Sequence, residues 1–421
     1  MKGSAGRCVL IIVQNLPVPF DRRVWLEATT LTKHGYKVSV ISPRDRGEAT
    51  YTVLQGVALY RYWVPGNARG VLGYAFEFVY CWLATALLSL VVAVREGFDI
   101  IQACNPPDTY FALAALYKLA GKKFVFDHHD LSPEMYLAKF PDSRGAFYRA
   151  LLFLERMTFR TADLVLATNE SHKEIALLRG GVPQERIHIV RSGPDFARLR
   201  QLPAEPALKE GRKYLVAYLG EMCPQDGVDY LLRAVKVLRD ELGMADVLVV
   251  LIGGGPALPA LRAYADSLGL DGTVKFTGRV SDHDLCRYLS TADLCVDPDP
   301  KSEWADRSTM NKILEYMALG KPIVAFDLKE HRRSAGQAAV YARPNEESDL
   351  ALQIKRVLLD EPLRARMGRI GRQRVMEQLS WEHTSVSLVR AYEWLSLRRA
   401  AKTAHLAIGH LAKLGAEGTG A

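Results

Sequence analysis

The chain has 421 residues, of which 49% are hydrophobic, 9% aromatic and 24% charged. These fractions are those of a globular protein and exclude a disordered, collagenous or fibrous chain, while the length suggests two or three domains. Lys and Arg total 55 against 47 Asp and Glu, a formal net charge of +8, which favours an anionic partner such as phosphate, nucleotide or acidic lipid without choosing among them.

The chain begins with two basic residues, Lys2 and Arg7, before the apolar run Cys8–Val13. This run is too short for the core of a signal peptide and predicts a first β-strand. The six cysteines form no C-x-x-C pair, and several lie inside apolar runs. They predict reduced, buried thiols and a cytosolic setting rather than a disulfide framework.

Short apolar or β-branched runs recur along the chain and alternate with amphipathic stretches. Such runs are typical of parallel strands covered by helices on both faces. The predicted strands are Cys8–Val13, Lys37–Ser42, Val57–Trp63, Asp99–Ala103, Lys123–Asp127, Leu164–Thr168, Ile187–Val190, Leu215–Leu219, Val247–Ile252, Val274–Thr277, Leu294–Asp297, Pro322–Phe326 and Ala339–Ala342. The alternation predicts an α/β fold with two doubly wound Rossmann-like domains that face each other across a ligand-binding cleft.

The segment Gly193–Arg212 contains three prolines among charged residues and lacks apolar periodicity, so it predicts the boundary between the domains. We therefore predict an N-terminal domain over 1–195 and a C-terminal domain over 208–380. A terminal helix over 381–400 is expected to brace the two domains. The tail over 401–421, rich in Ala and Gly, is expected to be disordered.

One segment bears on membrane association. Phe78–Val94 is 17 residues long and carries no charge. As a helix it would be about 25 Å long, slightly shorter than the roughly 30 Å hydrocarbon core of a bilayer. A helix buried in the domain and a helix lying in the membrane interface are both favoured over a spanning helix.

The most informative stretch runs from Thr309 to Ala325. It predicts a helix over 309–319 that carries Lys312 and Glu315 on one face near its N-terminus, with Ser308 and Thr309 as N-caps. The N–H groups of such a terminus bind phosphate, a Lys adds positive charge, and a Glu one turn later can accept hydrogen bonds from ribose hydroxyls. The alternative is a capped surface helix with a Lys–Glu pair.

Two loops of the first half carry further candidates. Asp21, Arg22 and Arg23 follow the first strand and are predicted to contact an acceptor phosphate; helix capping by Asp21 with two solvated arginines is equally compatible. His129 follows a later strand, where Asp127 and Asp130 can orient the imidazole rings. The D-H-H-D spacing permits a metal site there, but we expect none because no further Cys or His cluster accompanies it.

The pattern E-Y-M-A-x-G-K-P that begins at Glu315 resembles the nucleotide-sugar-binding helix of family-four glycosyltransferases, which have the GT-B fold and include many bacterial members. The resemblance extends along nearly the whole chain. It includes Pro19-Phe-Asp-Arg-Arg-Val-Trp-Leu-Glu-Ala, Phe126-Asp-His-His-Asp-Leu-Ser-Pro-Glu, Gly253-Gly-Gly-Pro, Val274-Lys-Phe-Thr-Gly-Arg-Val and Ala292-Asp-Leu-Cys-Val-Asp-Pro.

The resemblance implies transfer of a sugar from a nucleotide-diphosphate donor to an acceptor, with retention of configuration and with neither a metal ion nor a cofactor. Glu315 would hold the ribose, Gly278 and Val280 would meet the base through the backbone, and His129 would lie near the anomeric carbon. Ser308, Thr309 and Lys312 would stabilise the departing diphosphate, on which negative charge develops in the transition state. The other predicted donor-binding residues are Gly220, Gly253 and Gly254.

The sequence departs from the family pattern at two places. Many members carry a Glu eight positions before the ribose-binding Glu, where this chain has Arg307. Its guanidinium suits the diphosphate, and Asp306 or Glu303 is a candidate for the displaced carboxylate role. Many members also carry an Arg and a Lys after the first strand of the second domain, where this chain reads Gly220-Glu-Met-Cys-Pro-Gln-Asp-Gly. Arg307 is therefore predicted to be catalytic together with His129, Lys312 and Glu315.

Family members with this pattern commonly build surface polysaccharides on lipid carriers at the inner face of the membrane. We therefore expect a cytoplasmic or peripheral enzyme, a hexosyl- or N-acetylhexosaminyltransferase, that acts on a glycan or lipid-linked acceptor. The arginines from Arg364 to Arg374 have helical spacing and predict a solvated helix face, so no nucleic-acid partner is expected. The alternatives are a sugar-nucleotide epimerase or hydrolase on the same scaffold and a non-catalytic nucleotide-sugar-binding module.

Overall fold

A computed structural model describes residues 8–66 and 70–397. The tail predicted over 401–421 and the last three residues of the predicted 381–400 helix lie outside this part of the chain. The strands are β1 (Cys8–Ile12), β2 (Lys37–Pro43), β3 (Tyr51–Leu54), β4 (Val57–Tyr62), β5 (Ile100–Cys104), β6 (Lys123–His128), β7 (Leu164–Ala167), β8 (Ile187–Ile189), β9 (Tyr214–Leu219), β10 (Val247–Ile252), β11 (Val274–Gly278), β12 (Leu294–Asp297), β13 (Ile323–Phe326) and β14 (Ala339–Ala342).

Helices connect most of these strands. They are α1 (Arg22–Lys33), α2 (Gly70–Arg95), α3 (Phe111–Leu119), α4 (Ser132–Lys139), α5 (Ala146–Thr161), α6 (Glu170–Leu178), α7 (Val228–Asp240), α8 (Leu258–Ser267), α9 (Asp282–Thr291), α10 (Asn311–Ala318), α11 (Lys329–Ala335), α12 (Glu347–Leu359), α13 (Glu361–Arg374) and α14 (381–397). The predicted strands are confirmed to within about a residue at either end.

The chain divides into two units. The first comprises the described residues up to Pro133, Arg144–Val190 and the described residues from Ser385 onward; the second comprises Glu134–Ser143 and Arg191–Thr384. The segment predicted as the domain boundary, Gly193–Arg212, belongs to the second unit.

The first unit contains an eight-stranded sheet in the order β3-β4-β2-β1-β5-β6-β7-β8. Its strands pair in parallel, apart from β3, which pairs antiparallel to β4 at the edge. The chain moves in the same direction across the sheet at α2, α3 and α5. Because crossovers between parallel strands are right-handed, these three helices cover the same face of the sheet. Helix α1 connects strands in the opposite direction and covers the other face.

The second unit contains a six-stranded parallel sheet in the order β11-β10-β9-β12-β13-β14. Its inner strands are apolar apart from Asp297 at the end of β12, and β10 is buried along its whole length. The chain moves from β9 through β10 to β11 and then returns to the other side of β9 to form β12. In a doubly wound sheet, ligands bind at the carboxyl ends of the strands where the direction reverses, here β9 and β12.

The exposure of α2 contradicts one of the alternatives predicted for this segment, that of a helix buried within the domain. The segment Ala75–Arg95 is long and apolar enough to cross a bilayer, and only 22% of its most apolar window is buried. Its most exposed apolar residues are Phe76, Val79, Leu83, Leu87, Leu90 and Val94. Trp82, by contrast, is half-buried and stacks on Tyr110, so only one side of the helix packs against the unit.

Three of the five arginines from Arg364 to Arg374 correct a second expectation, that of a solvated helix face, whereas Arg366 and Arg369 are exposed as predicted. Arg364 donates to the carbonyl of Val357 near the end of α12, and Arg372 donates to that of Ala318 at the end of α10 (2.6 Å). Arg374 donates to the carbonyl of Arg333. Cations near the carboxyl ends of helices satisfy free carbonyl groups and favour the helix dipole. These three arginines therefore hold neighbouring helices in place.

Candidate active site

The carboxyl ends of β9 and β10 are joined by close backbone packing. A Cβ added to Gly253 would lie 1.9 Å from the carbonyl oxygen of Gly220, and Gly253 has a φ of +134°. Only glycine fits such a position. A Cβ on Gly254 would meet only the side chain of Arg279, at 3.5 Å. The predicted donor-binding glycines thus differ: Gly253 is needed for the turn itself, whereas Gly254 borders open space.

The predicted nucleotide-binding helix is observed as α10, but it begins at Asn311 rather than at Thr309. The N-cap prediction is wrong. Met310 is the N-cap and its side chain makes no capping bond, while the Ser308 hydroxyl donates to the carbonyl of Trp304 at 2.8 Å. Ser308 is buried, so its hydroxyl is directed into the preceding turn.

Tyr316 fixes α10 against the sheet. Its buried hydroxyl accepts a hydrogen bond from the Leu219 N–H (2.7 Å) and donates to the Val296 carbonyl (3.3 Å). These two backbone groups belong to β9 and β12, the strands at the reversal point. The tyrosine of the E-Y-M-A pattern therefore anchors the helix at that place.

Lys312 lies between two buried carboxylates. Its Nζ is 2.7 Å from Oδ1 of Asp299 and 3.2 Å from Oδ1 of Asp297. Both aspartates are fully buried, and the lysine side chain is 10% exposed. The ammonium predicted to face a diphosphate is thus already paired within the unit.

Burial and charge act against each other in this cluster. Burial lowers the pKa of Lys312, but Asp297 and Asp299 outweigh it and the pKa lies well above its usual value. Burial and the Asp297 charge raise the pKa of Asp299 well above its usual value. Burial also acts to raise the pKa of Asp297, yet Lys312 and His331 bring it below the ordinary value. A proton is therefore retained most readily on Asp299.

Glu315, the predicted ribose ligand, is not paired with Lys312 as the surface-helix alternative would require. Its carboxylate forms an ion pair with Arg198, whose guanidinium also donates to Asp282 on α9 (3.0 Å). Both Glu315 and Arg198 have side chains that are 14% exposed. Sequence reasoning missed Arg198 because it lies 117 residues from Glu315, in a segment without periodicity.

Arg307 lies just before α10 and pairs with Glu134, whose side chain is almost fully buried, at 3.1 Å, and with Glu303 at 3.7 Å. Of the two carboxylates considered for the displaced Glu role, Asp306 accepts from the Lys329 N–H (2.9 Å) and pairs with Lys301. Glu303 has an exposed side chain. Glu134 was missed, although it ends the recognised stretch that starts at Phe126.

The predicted base-binding segment follows β11. The Gly278 carbonyl accepts a hydrogen bond from Gly253 N–H (3.0 Å), and Gly278 adopts a φ of +69°. Val280, two residues later, is half-buried. Thus the ends of β9, β10 and β11 lie side by side, and a glycine stands at each of them.

In the first unit, Asp21 accepts from the Val24 N–H (3.1 Å) and caps α1. Arg22 is exposed, but Arg23 is buried and donates to Asp127 (2.7 Å) and to the Val190 carbonyl (2.7 Å). The expectation of a solvated Arg23 is therefore wrong. Its guanidinium belongs to an internal network rather than to the surface.

His129 belongs to the same network. Its Nε2 lies 2.7 Å from Oδ2 of Asp127, and the same nitrogen lies 2.8 Å from Nε of Arg23. Burial lowers the pKa of His129, but the Asp127 charge and hydrogen bond outweigh it, so the pKa is raised. Asp127 therefore orients the ring, as predicted, and the side chain keeps 16% of its surface exposed. His128 points the other way and is fully buried.

Two groups of side chains in the described chain have the composition of metal ligands. They are Cys104, Asp127 and His129 in the first unit, and Asp297, Asp299 and His331 in the second. In each group a cation of the chain is already bound to the carboxylates, Arg23 in the first and Lys312 in the second. These groups therefore fit internal ion-pair clusters.

The chain matches two family descriptions. Residues 21–198 match "Glycosyltransferase Family 4", and residues 213–360 match "Glycosyl transferases group 1". Mannosylfructose-phosphate synthase of Agrobacterium fabrum is 27% identical over 60% of this chain and 59% of its own. MMP alpha-(1->4)-mannosyltransferase of Mycolicibacterium hassiacum is 30% identical over 59% of this chain and 57% of its own. The match thus spans less than two thirds of each relative.

Solved structures agree in fold. Sucrose-phosphate synthase from Thermosynechococcus elongatus has a TM-score of 0.76 at 16% identity, covering 93% of this chain and 100% of its own. Anabaena Alr3699/HepE in complex with UDP and glucose has a TM-score of 0.69 at 18% identity, covering 94% and 100%. Since the two family matches together take in every strand except β1 and the connecting segments that carry the site, the chain belongs to the family-four, group 1 glycosyltransferases and has their GT-B fold.

Proposed function

We propose that this protein is a glycosyltransferase that moves a hexosyl or N-acetylhexosaminyl group from a nucleotide-diphosphate sugar to a glycan or lipid-linked acceptor. We propose further that it retains the anomeric configuration, requires no metal ion, and acts in surface or exopolysaccharide biosynthesis. The observation that carries the donor assignment is the position of Glu315 on α10, the helix that Tyr316 anchors to β9 and β12 at the reversal point of the second sheet.

The structure suggests how the donor is recognised. A carboxylate accepts two hydrogen bonds from neighbouring ribose hydroxyls, and Glu315 is partly exposed on a helix fixed to the sheet. The first-turn N–H groups of α10 provide donors for a diphosphate. Structures of Alr3699/HepE are described as complexes with UDP and with UDP-glucose, and this supports the same ligand class for the present site.

Lys312 takes a modified role in this proposal. Because its ammonium is bound to Asp297 and Asp299, its charge is largely compensated before any ligand arrives. Diphosphate stabilisation is therefore assigned chiefly to α10 N–H groups, to Thr309 and to Arg307, whose side chain is more than a third exposed. Lys312 holds the α10 terminus in the position that those groups need.

In the first unit we keep His129 as the residue near the anomeric carbon, and Arg22, at the start of α1, as the exposed cation for the acceptor. Asp127 holds His129 in one orientation, and Arg23 supports that pair from within the unit. A histidine fixed in this way can donate or accept a hydrogen bond at a reacting sugar without reorganisation.

Peripheral attachment to the cytoplasmic membrane forms part of the same proposal. The exposed apolar residues of α2 lie on the sheet face shared with α3 and α5, and α3 contacts both helices: Tyr117 bonds Ser89, and Lys118 bonds the Thr161 carbonyl. Helices α3 and α5 add the exposed apolar residues Leu116, Leu119, Phe147 and Phe153. Helix α5 also exposes Arg149, Arg156 and Arg160. An apolar face flanked by arginines suits a bilayer with anionic lipids.

Vesicle co-sedimentation tests the attachment. Vesicles with anionic lipid should bind the intact protein, and Leu87→Glu, at a position 65% exposed on α2, should weaken binding by about tenfold or more because it places a charge at the interface. Leu359→Glu, at an exposed position on α12 in the second unit, is the matched control. Equal binding by the Leu87 variant and the wild type would refute attachment through α2.

The donor assignment is tested first by thermal shift with UDP-, GDP-, ADP- and TDP-sugars, since a ligand that binds the native state raises its melting temperature. The selected sugar nucleotide is then incubated with candidate acceptors with and without a chelator, and NMR of the product gives the anomeric configuration. Glu315→Gln should reduce donor affinity. Conversion of the donor without an acceptor would identify an epimerase or hydrolase, and binding without turnover would identify a non-catalytic module.

A further inference from the structure

Arg198 connects the segment before β9 to two helices of the second unit. One of its guanidinium nitrogens donates to Asp282 at the start of α9 (3.0 Å), and another forms the ion pair with Oε1 of Glu315 on α10. The Arg198 carbonyl accepts from the Cys286 thiol at 3.6 Å. Its neighbour Leu199 is almost fully buried. The backbone of Arg198 is therefore held on α9 while its side chain reaches α10.

The ion pair of Arg198 with Glu315 is less exposed than the ion pairs formed by Arg287 on α9. Arg287 bonds Glu205 and Asp284 from a side chain that is 34% exposed, and its partners are 39% and 41% exposed. Arg198 and Glu315 are each 14% exposed. A partly desolvated pair with a guanidinium fixed at two carboxylates restricts the rotamer of each partner far more than a solvated pair does.

The geometry points to Arg198 as a positioning residue that orients the Glu315 carboxylate for the 2′- and 3′-hydroxyls of a nucleoside diphosphate and so sets the preference for ribose over deoxyribose. This inference rests on the proposed function. The guanidinium engages Oε1 of Glu315 and fixes the plane of the carboxylate. A carboxylate held in one orientation can accept hydrogen bonds from a diol without reorganisation.

The effect of removing Arg198 on nucleotide binding distinguishes a positioning role from a merely structural one. If Arg198 acts through Glu315, its removal weakens binding only of ligands that carry the hydroxyl that Glu315 holds. If Arg198 only stabilises the fold, or if it attracts phosphate by its charge, its removal weakens ribonucleotide and deoxyribonucleotide binding by the same factor. The ratio of the two affinities is therefore the quantity to measure.

The experiment is isothermal titration of the full chain with UDP and with 2′-deoxy-UDP, or with the GDP or ADP pair if the thermal-shift screen selects that base. The wild type should prefer the ribonucleotide by about tenfold, the value of one hydrogen bond to a charged group. Arg198→Gln should reduce the ratio to near one while changing the deoxyribonucleotide affinity less than about twofold. Arg198→Lys should restore part of the ratio.

Glu315→Gln should also bring the ratio near one, and the double variant should lose no more discrimination than either single variant. Arg287→Gln is the matched control and should leave the ratio unchanged, with unfolding curves confirming that each variant is folded. An unchanged ratio in Arg198→Gln, or an equal loss for both nucleotides, would overturn the inference while leaving the donor assignment intact. Failure of the wild type to bind any nucleotide would overturn the proposed function and this inference together.

Discussion

The ammonium of Lys312 lies 2.7 Å from Oδ1 of Asp299 and is shared with Asp297, in a cluster that is almost completely shielded from water. The three side chains come from α10 and from the end of β12, so their ion pairs join the helix to the sheet. A lysine in this position is a structural cation as well as a candidate ligand of the donor.

Replacement of Lys312 by Met should therefore destabilise the protein strongly. It leaves two buried carboxyl groups without their cation, and breaking a buried pair in this way costs about 3–5 kcal/mol. Urea unfolding at neutral pH measures the change. Adding Asp297→Asn to Lys312→Met should recover much of the loss, because it removes the carboxyl group of the pair whose pKa lies below its usual value. A loss below about 1 kcal/mol in Lys312→Met would contradict the buried cluster.

The turn that follows β10 provides a pair of matched glycines. Gly253→Ala should cost about 3 kcal/mol or more, because the new Cβ would lie 1.9 Å from the Gly220 carbonyl oxygen and φ is +134°. Gly254→Ala should be nearly neutral, since its Cβ would meet only the flexible Arg279 side chain. Thermal unfolding distinguishes the two variants. Similar melting temperatures for both would show that the backbones do not approach so closely.

Buried histidines in the first unit should make stability depend on pH. Burial lowers the pKa of His172 to about 4, below its usual value of roughly 6.5 in an unfolded chain. Between pH 4 and about 6.5, His172 therefore binds a proton in the unfolded state but not in the folded state. As pH falls through this range, His172 lowers the free energy of unfolding. The limiting slope is about 1.4 kcal/mol per pH unit, or roughly 3 kcal/mol over the window.

The wild-type profile alone does not isolate this effect, because burial raises the pKa of Asp108 to about 6 and acts in the opposite direction. The comparison is therefore between the wild type and His172→Gln, by urea unfolding at several pH values from 4 to 7. The variant should lose less stability on acidification than the wild type. His283→Gln, on the exposed surface of α9, is the control. Parallel profiles for His172→Gln and the wild type would exclude a buried neutral imidazole.

Most of the fold could be predicted because parallel strands covered on both faces are short apolar runs, which need no knowledge of distant residues. The strand missed, β3, is an edge strand whose residues Tyr51, Val53 and Leu54 are exposed, so neither a continuous apolar run nor an alternation marks it. The exposed side of α2 could not be predicted either. An apolar helix has the same sequence whether protein or another medium covers it.

The site could be predicted where local spacing determines it, as for Glu315 and Tyr316 on one helix. It could not be predicted where the partner is distant in sequence. Arg23 pairs with Asp127, 104 residues away. The pair Asp297 and Asp299 carried a usable signal, since two carboxylates directly follow a buried strand at the reversal point of the sheet. Their partner Lys312 was instead assigned only to the ligand.

Arg307 offers the last test, because it stands at the position where the family resemblance leads us to expect a carboxylate. Its side chain is 37% exposed and pairs with Glu134, which is 1% exposed. If Arg307 supplies positive charge to the departing diphosphate, Arg307→Gln should lower turnover by about a hundredfold, as loss of an electrostatic contact to the transition state does. Steady-state kinetics with the selected donor and acceptor give kcat and KM separately.

The matched variant is Glu134→Gln, which removes the ion pair but keeps the Arg307 charge. It should retain most of the turnover, because a guanidinium released from its partner remains available to an anion. If both variants lose turnover equally, the pair acts by fixing the segment before α10, and the charge of Arg307 does not act on the diphosphate. If Arg307→Gln retains full turnover, the position has no part in catalysis, and the diphosphate is then stabilised by the N–H groups of α10 and Thr309.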